Sequence, residues 1–293
     1  MNLSEIHASI KSSLQQRRYR RFVQQSAYRR TLSQLPPELC KHWQTVAQQE
    51  FTGISTDIMF FIQAAEGLMM FFECARQVDR PCGLPSKAAD SVWHAWLTLP
   101  QTYFAAQEVD RFCVQNFGKS IPHVVAEQME VGISSALAVT LLQLRRMAGE
   151  DQLSDYVPAL FTLDRRLKMP RGYCYRSEGQ RLGFQPMSLL GQGSGAMIYP
   201  ASFSPDELLA LGLINATMLA QYHAQQERRA QFANVQASSS DPFNTSTTSS
   251  TSGCSDLFSS DANCDSGSGA DSSGDSGGGS SCGSSCGSSC SSS

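Results

Sequence analysis

The chain has 293 residues and a mass of 32.0 kDa, which allows one large domain or two smaller ones. Its formal net charge of -3 conceals an uneven distribution. Residues 1–30 contain seven basic residues and one acid, whereas residues 237–293 contain six aspartates and no lysine or arginine. The middle of the chain is therefore close to neutral, which excludes a histone-like or ribosomal-type polycation.

Residues 237–293 have the composition of a low-complexity tail. They consist mainly of serine, glycine, aspartate, threonine and cysteine, and only three of them are large and apolar. Such a segment buries too little apolar surface to offset the entropy lost on ordering. We therefore predict a disordered Ser/Gly/Cys-rich tail after a folded domain at residues 31–236, preceded by a basic helical segment at residues 1–30.

Three tail cysteines, Cys282, Cys286 and Cys290, recur every four residues. Three thiolates suit a soft metal, but no histidine or fourth ligand lies nearby in the sequence. We favour a plain flexible acidic tail over a metal site.

Two features favour a cytoplasmic protein without a transmembrane segment. The first thirty residues contain no apolar stretch of the length that a signal peptide needs. The most apolar segment, residues 57–74, is interrupted by Gln63, Glu66 and Glu73, and it falls short of the roughly 20 apolar residues of a spanning helix.

Residues 31–170 show helical periodicity. The segment at 58–74 has apolar residues on two faces and only a narrow polar seam, so we predict that it is the central helix of a bundle. Ser86 follows two breaking prolines and is a candidate N-cap, and Gly118 is a candidate helix stop. The predicted helices cover residues 36–50, 58–74, 86–100, 101–116, 133–146 and 158–168.

The period changes near residues 171–200. Tyr173 and Tyr175 alternate with smaller or polar neighbours, and Leu182 and Phe184 do the same after a turn at 177–180. This alternation predicts a β-hairpin.

A last helix is predicted from Ser204 to about Gln231. Ser204 and Glu207 form a capping box around a proline at the first helical position. The complete pattern predicts a mainly α fold, a helical bundle with a small β-hairpin insertion.

The stretch Pro85–Trp96, followed by a Phe-Gly pair and a later histidine, resembles the glycine-rich domain-containing protein-like family, in particular its compact bacterial branch. The resemblance covers about residues 30–225 and implies a fold, because that family carries no activity to transfer. Many plant members have a second histidine where this chain has Trp96, which argues against a paired-histidine metal site. The matched positions are Asp90, Trp93, His94, Tyr103, Cys113, Phe117, Gly118 and His123.

Four of these positions are candidate catalytic residues: Asp90, His94, Cys113 and His123. Asp90 and His94 are four apart on one predicted helix, so the carboxylate can orient the imidazole. With a thiol and a second imidazole, the set suits a Cys-His nucleophile or a metal site. The sequence shows no evident oxyanion-hole loop and no close ligand spacing, so we favour buried polar anchors and predict no metal and no cofactor.

The basic segment near the N-terminus interleaves arginines with aromatic residues. Such a pattern suits phosphates and stacked bases, or an anionic membrane surface, although a solvated amphipathic helix is the plainer interpretation. We expect weak polyanion contact, with nucleic acid or anionic lipid, through Arg17, Arg18, Arg20, Arg21, Arg29 and Arg30.

These observations favour a non-enzymatic binding or scaffolding module. The alternative is an enzyme or a metal-binding protein that uses the Asp/His/Cys/His set. Metal analysis distinguishes the two classes.

Overall fold

The computed structural model describes residues 3–100, 105–124, 132–178 and 181–238, and it confirms the predicted mainly helical fold. Residues 239–293 of the predicted tail lie outside the described residues. A β-hairpin of β1 (Tyr173–Glu178) and β2 (Arg181–Pro186) follows the eighth helix. The helices are α1 (Leu3–Gln25), α2 (Arg29–Leu32), α3 (Leu39–Glu50), α4 (Ile58–Arg76), α5 (Lys87–Leu97), α6 (Ala105–Phe117), α7 (Ile133–Met147), α8 (Leu163–Leu167), α9 (Pro205–Ala210) and α10 (Ala216–Ser238).

Helix α4 is the central helix, as its apolar sequence predicts. It contacts α1, α2, α3, α5, α6, α7 and α8. Its N-terminus is capped by Asp57, which accepts a hydrogen bond from the Met59 N–H at 2.6 Å. By length and composition α4 is apolar enough to cross a membrane, but 67% of its most apolar window is buried inside the protein. That burial is consistent with the core helix of a soluble protein.

A close contact between α4 and α8 brings α8 to the start of α5. Gly67 of α4 allows this approach, because a Cβ at that position would lie 2.3 Å from Leu163 Cδ2. The next residue, Asp164, then reaches the N-terminus of α5, where Ser86 is the N-cap. The predicted Ser86 cap is confirmed, since its Oγ accepts a hydrogen bond from the Ala89 N–H at 3.2 Å.

The hairpin is antiparallel and packs on the core. Tyr175 is buried and meets Phe161 edge-on, with ring centroids 4.9 Å apart. The predicted turn is shorter than expected, because Ser177 and Glu178 lie in β1 and pair with β2. Residues 179 and 180 lie outside the described residues.

Two predicted helices have different bounds. The segment at 158–168 is helical only in α8, because its first residues form turns with i→i+3 hydrogen bonds. The predicted helix from Ser204 to Gln231 is two helices. Gly212, with φ of +63°, ends α9 in a Schellman arrangement in which the Leu213 N–H donates to the Leu208 carbonyl.

Candidate functional site

Helix α5 places Asp90 and His94 one turn apart on its partly exposed face. The intervening Val92 and Trp93 are buried, so this helix is anchored in the core. The Nε2 atom of His94 lies 3.6 Å from Asp90 Oδ2. The two side chains are therefore neighbours along the helix, but they do not form the hydrogen bond that the spacing predicted.

Glu50, at the end of α3, forms a hydrogen bond with Nδ1, the other ring nitrogen of His94. Its Oε1 lies 2.5 Å from His94 Nδ1. Because a carboxylate only accepts, Nδ1 carries the hydrogen in this bond, and the Nε2 of a neutral imidazole keeps a free lone pair. Burial lowers the pKa of His94, but the hydrogen bond that His94 donates to Glu50 and the negative charges of Asp90 and Glu50 outweigh this effect, so the pKa is raised above its usual value.

His123 reaches the same carboxylate from the segment after α6. Gly118, with φ of +72°, follows the last residue of α6, and Ile121 anchors the following segment in the core. The Nε2 atom of His123 lies 3.5 Å from Asp90 Oδ1. Its ring meets Trp93 edge-on at a centroid distance of 4.7 Å, and it lies 4.9 Å from the ring of His94.

Asp90, His94 and His123 therefore form one cluster, which we call the Asp-His-His cluster. One ligand atom from each lies within 4.8 Å of the other two. Their side chains are 31%, 30% and 20% exposed, so solvent reaches the cluster. The sequence named these three residues as candidates, but it did not indicate Glu50, which lies 44 residues before His94.

Cys113 is the candidate that the structure places elsewhere. It is completely buried in α6, and the cluster found among the described residues does not include it. Burial raises the pKa of its thiol to about 12, and the charge of Asp110 adds to the effect. A thiol in this state is not the thiolate that nucleophilic catalysis requires.

We expect Cys113 to be unreactive in the folded protein. Iodoacetamide followed by peptide mass analysis should label Cys113 only after unfolding, whereas the half-buried Cys40 should react faster under native conditions. Native labelling of Cys113 at the rate of Cys40 would restore the Cys-His nucleophile hypothesis.

The six arginines of the basic segment are all exposed. The aromatic residues between them, Tyr19, Phe22 and Tyr28, are partly buried and pack against the core. Two hydrogen bonds tie this segment to α4: Gln15 of α1 donates to the N-cap Asp57 at 2.6 Å, and Ser26, just after α1, donates to Glu66 at 2.5 Å.

Comparison with known proteins places the chain in a family. The model of the UCP032817-like family matches residues 18–186, which is more than half of the chain and includes the Asp-His-His cluster. The chain belongs to the UCP032817-like family. Neither the curated proteins nor the solved structures contain a significant match.

Proposed function

We propose that the protein binds a divalent transition-metal ion, best fitted by zinc, in the Asp-His-His cluster. The observation that carries this proposal is that two imidazole Nε2 atoms face the two oxygens of one carboxylate, at 3.5 and 3.6 Å. Ligand atoms at about 2.0–2.2 Å from a tetrahedral zinc ion stand roughly 3.3–3.5 Å apart. The two histidine–carboxylate distances are close to this spacing, and one ligand atom from each of the three residues lies within 4.8 Å of the other two.

Glu50 supports this proposal as an outer partner. Metal-binding histidines commonly donate their second ring N–H to a carboxylate, which fixes the tautomer and raises the basicity of the ligand nitrogen. The 2.5 Å contact between Glu50 and His94 Nδ1 has this form. A set of two imidazoles and one carboxylate occurs in zinc sites, where the fourth position is left to water or to a partner ligand.

The resemblance to the glycine-rich domain-containing protein-like family is also part of this proposal. Its matched positions include all three members of the Asp-His-His cluster and Trp93, which supports the ring of His123. The replacement of the family's second histidine by Trp96 does not affect these ligands, because Trp96 is buried on the core side of α5. The second histidine comes instead from the segment after α6.

The proposal is tested by zinc titration of the full chain. The five tail cysteines should first be replaced by serine, because three of them have a spacing that suits a soft metal. We expect one zinc ion per chain by calorimetry, and loss of that binding in His94→Ala, His123→Ala and Asp90→Ala. Glu50→Gln should weaken binding by about 10- to 100-fold, as outer-shell changes do.

His42→Ala is the matched control, because His42 contacts Thr98 and lies outside the cluster. It should bind zinc as the unmodified chain does. Cobalt(II) should give no thiolate charge-transfer band, because the proposed ligands contain no sulfur. Failure to bind zinc, or retained binding in a His94→Ala, His123→Ala double variant, would leave the cluster as a set of polar anchors between α3, α5 and the segment after α6.

A further inference from the structure

One face of α1 presents arginines to solvent. Successive helical residues are rotated by about 100°, so Arg17, Arg20 and Arg21 lie roughly opposite the face that packs on α4. That packed face contains Tyr19 and Phe22. Arg18 lies at the edge of the outward face, and all four guanidinium side chains are exposed.

Among the described residues, none of the ion pairs involves Arg17, Arg18, Arg20 or Arg21. Two acids of the adjacent helix have other partners, since Asp57 binds Gln15 and the N-terminus of α4, while Glu66 binds Ser26. Arg29 and Arg30 of α2 extend the exposed positive surface.

We propose that this surface, here called the arginine face (Arg17, Arg18, Arg20, Arg21, Arg29 and Arg30), binds the phosphate backbone of a nucleic-acid duplex without reading its sequence. Guanidinium groups pair with phosphate oxygens through two parallel hydrogen bonds. Because the aromatic rings of the segment are partly buried against the core, they offer less surface for the stacking of unpaired bases than exposed rings would. The arginines can contact the phosphates of the nucleic-acid backbone, and a duplex presents these phosphates in a regular array.

A duplex fits this surface better than an anionic membrane. A helix that lies on a membrane inserts a continuous apolar face between the headgroups. Here Tyr19, Phe22 and Val23 are used against the core, and only Ile10 and Leu14 of the described part of α1 are large, apolar and exposed. Among the described side chains of α1, these two do not make such a face.

The test measures binding of a labelled duplex of about 20 base pairs to the full chain at several salt concentrations. Duplex binding falls with salt with a log–log slope of about -0.9 for each phosphate contact. Four contacts from α1 correspond to a loss of roughly 100-fold between 50 and 200 mM salt. Replacing Arg17, Arg18, Arg20 and Arg21 by glutamine should remove most of the binding and of this slope, with an unchanged thermal midpoint.

Arg228→Gln with Arg229→Gln is the matched control, because both residues are exposed on α10. This variant should bind the duplex as the unmodified chain does. An equal loss in the control, or no duplex binding at 50 mM salt, would overturn the proposal. So would stronger binding to phosphatidylserine vesicles, or to a single strand of the same length, than to the duplex.

Discussion

Replacement of Asp164 by alanine is expected to lower the free energy of unfolding by roughly 4 kcal/mol or more. Asp164 belongs to α8, is 1% exposed and faces the start of α5. Its Oδ1 accepts hydrogen bonds from Ser86 Oγ at 2.6 Å and from the Ala88 N–H at 3.0 Å. Its Oδ2 accepts from the N–H groups of Lys87 at 3.1 Å and Tyr173 at 3.0 Å.

The effect is large because this one side chain accepts four hydrogen bonds, three from residues 86–88 and one from Tyr173. The first N–H groups of a helix have no partner within the helix, so Asp164 and the Ser86 cap together complete the N-terminus of α5. The carboxylate also lies at the positive end of the helix dipole. Burial raises the pKa of Asp164 above its usual value, and the four hydrogen bonds offset only part of that rise.

Urea unfolding followed by circular dichroism measures this loss. Asp164→Asn should be less destabilising than Asp164→Ala, because the amide keeps one acceptor oxygen for these donors. It should still be destabilising, because the NH₂ group of the amide faces the other N–H donors. Glu227→Ala is the control, since Glu227 is exposed on α10 and the change should stay within about 0.5 kcal/mol. A loss below about 1 kcal/mol for Asp164→Ala would show that water replaces the carboxylate at these donors.

The parts of the fold that were predicted from sequence depend on a few neighbouring residues. The Ser86 cap, the Gly118 stop and the Ser204 cap each involve contacts within three or four positions. The two apolar faces of α4 similarly indicate a central helix without knowledge of its neighbours. The break at Gly212 was missed because a glycine within a helical pattern is compatible with either continuation or a C-terminal cap.

The candidate site is built by contacts that leave no periodic signal. Glu50 meets His94 across 44 positions, and Asp164 meets the start of α5 across 76 to 78 positions. The sequence named Asp90, His94 and His123 through residue types and family resemblance, but their distances depend on how the segment after α6 returns to α5. Likewise, the alternation of arginine and aromatic residues does not reveal that the rings face the core and the arginines face solvent.

Replacement of Trp93 by alanine is expected to lower the free energy of unfolding by about 3–5 kcal/mol. The indole ring is 4% exposed, and it meets Phe72 edge-on at 5.1 Å and Phe71 at 5.6 Å. Its removal leaves a cavity between α4 and α5. The same indole ring contacts the ring of His123, with centroids 4.7 Å apart. The change should therefore also weaken zinc binding under conditions in which the variant is still folded.

Trp93→Phe separates packing from hydrogen bonding. The indole N–H of Trp93 has no hydrogen-bond partner among the described residues. Phenylalanine therefore keeps much of the aromatic packing and removes no hydrogen bond of this group. We expect a smaller loss of stability, below that of Trp93→Ala, and near-normal zinc affinity. Urea unfolding and zinc calorimetry on the same samples give both quantities. If Trp93→Ala lost stability but bound zinc unchanged, His123 would be held by its own segment instead of by the indole ring.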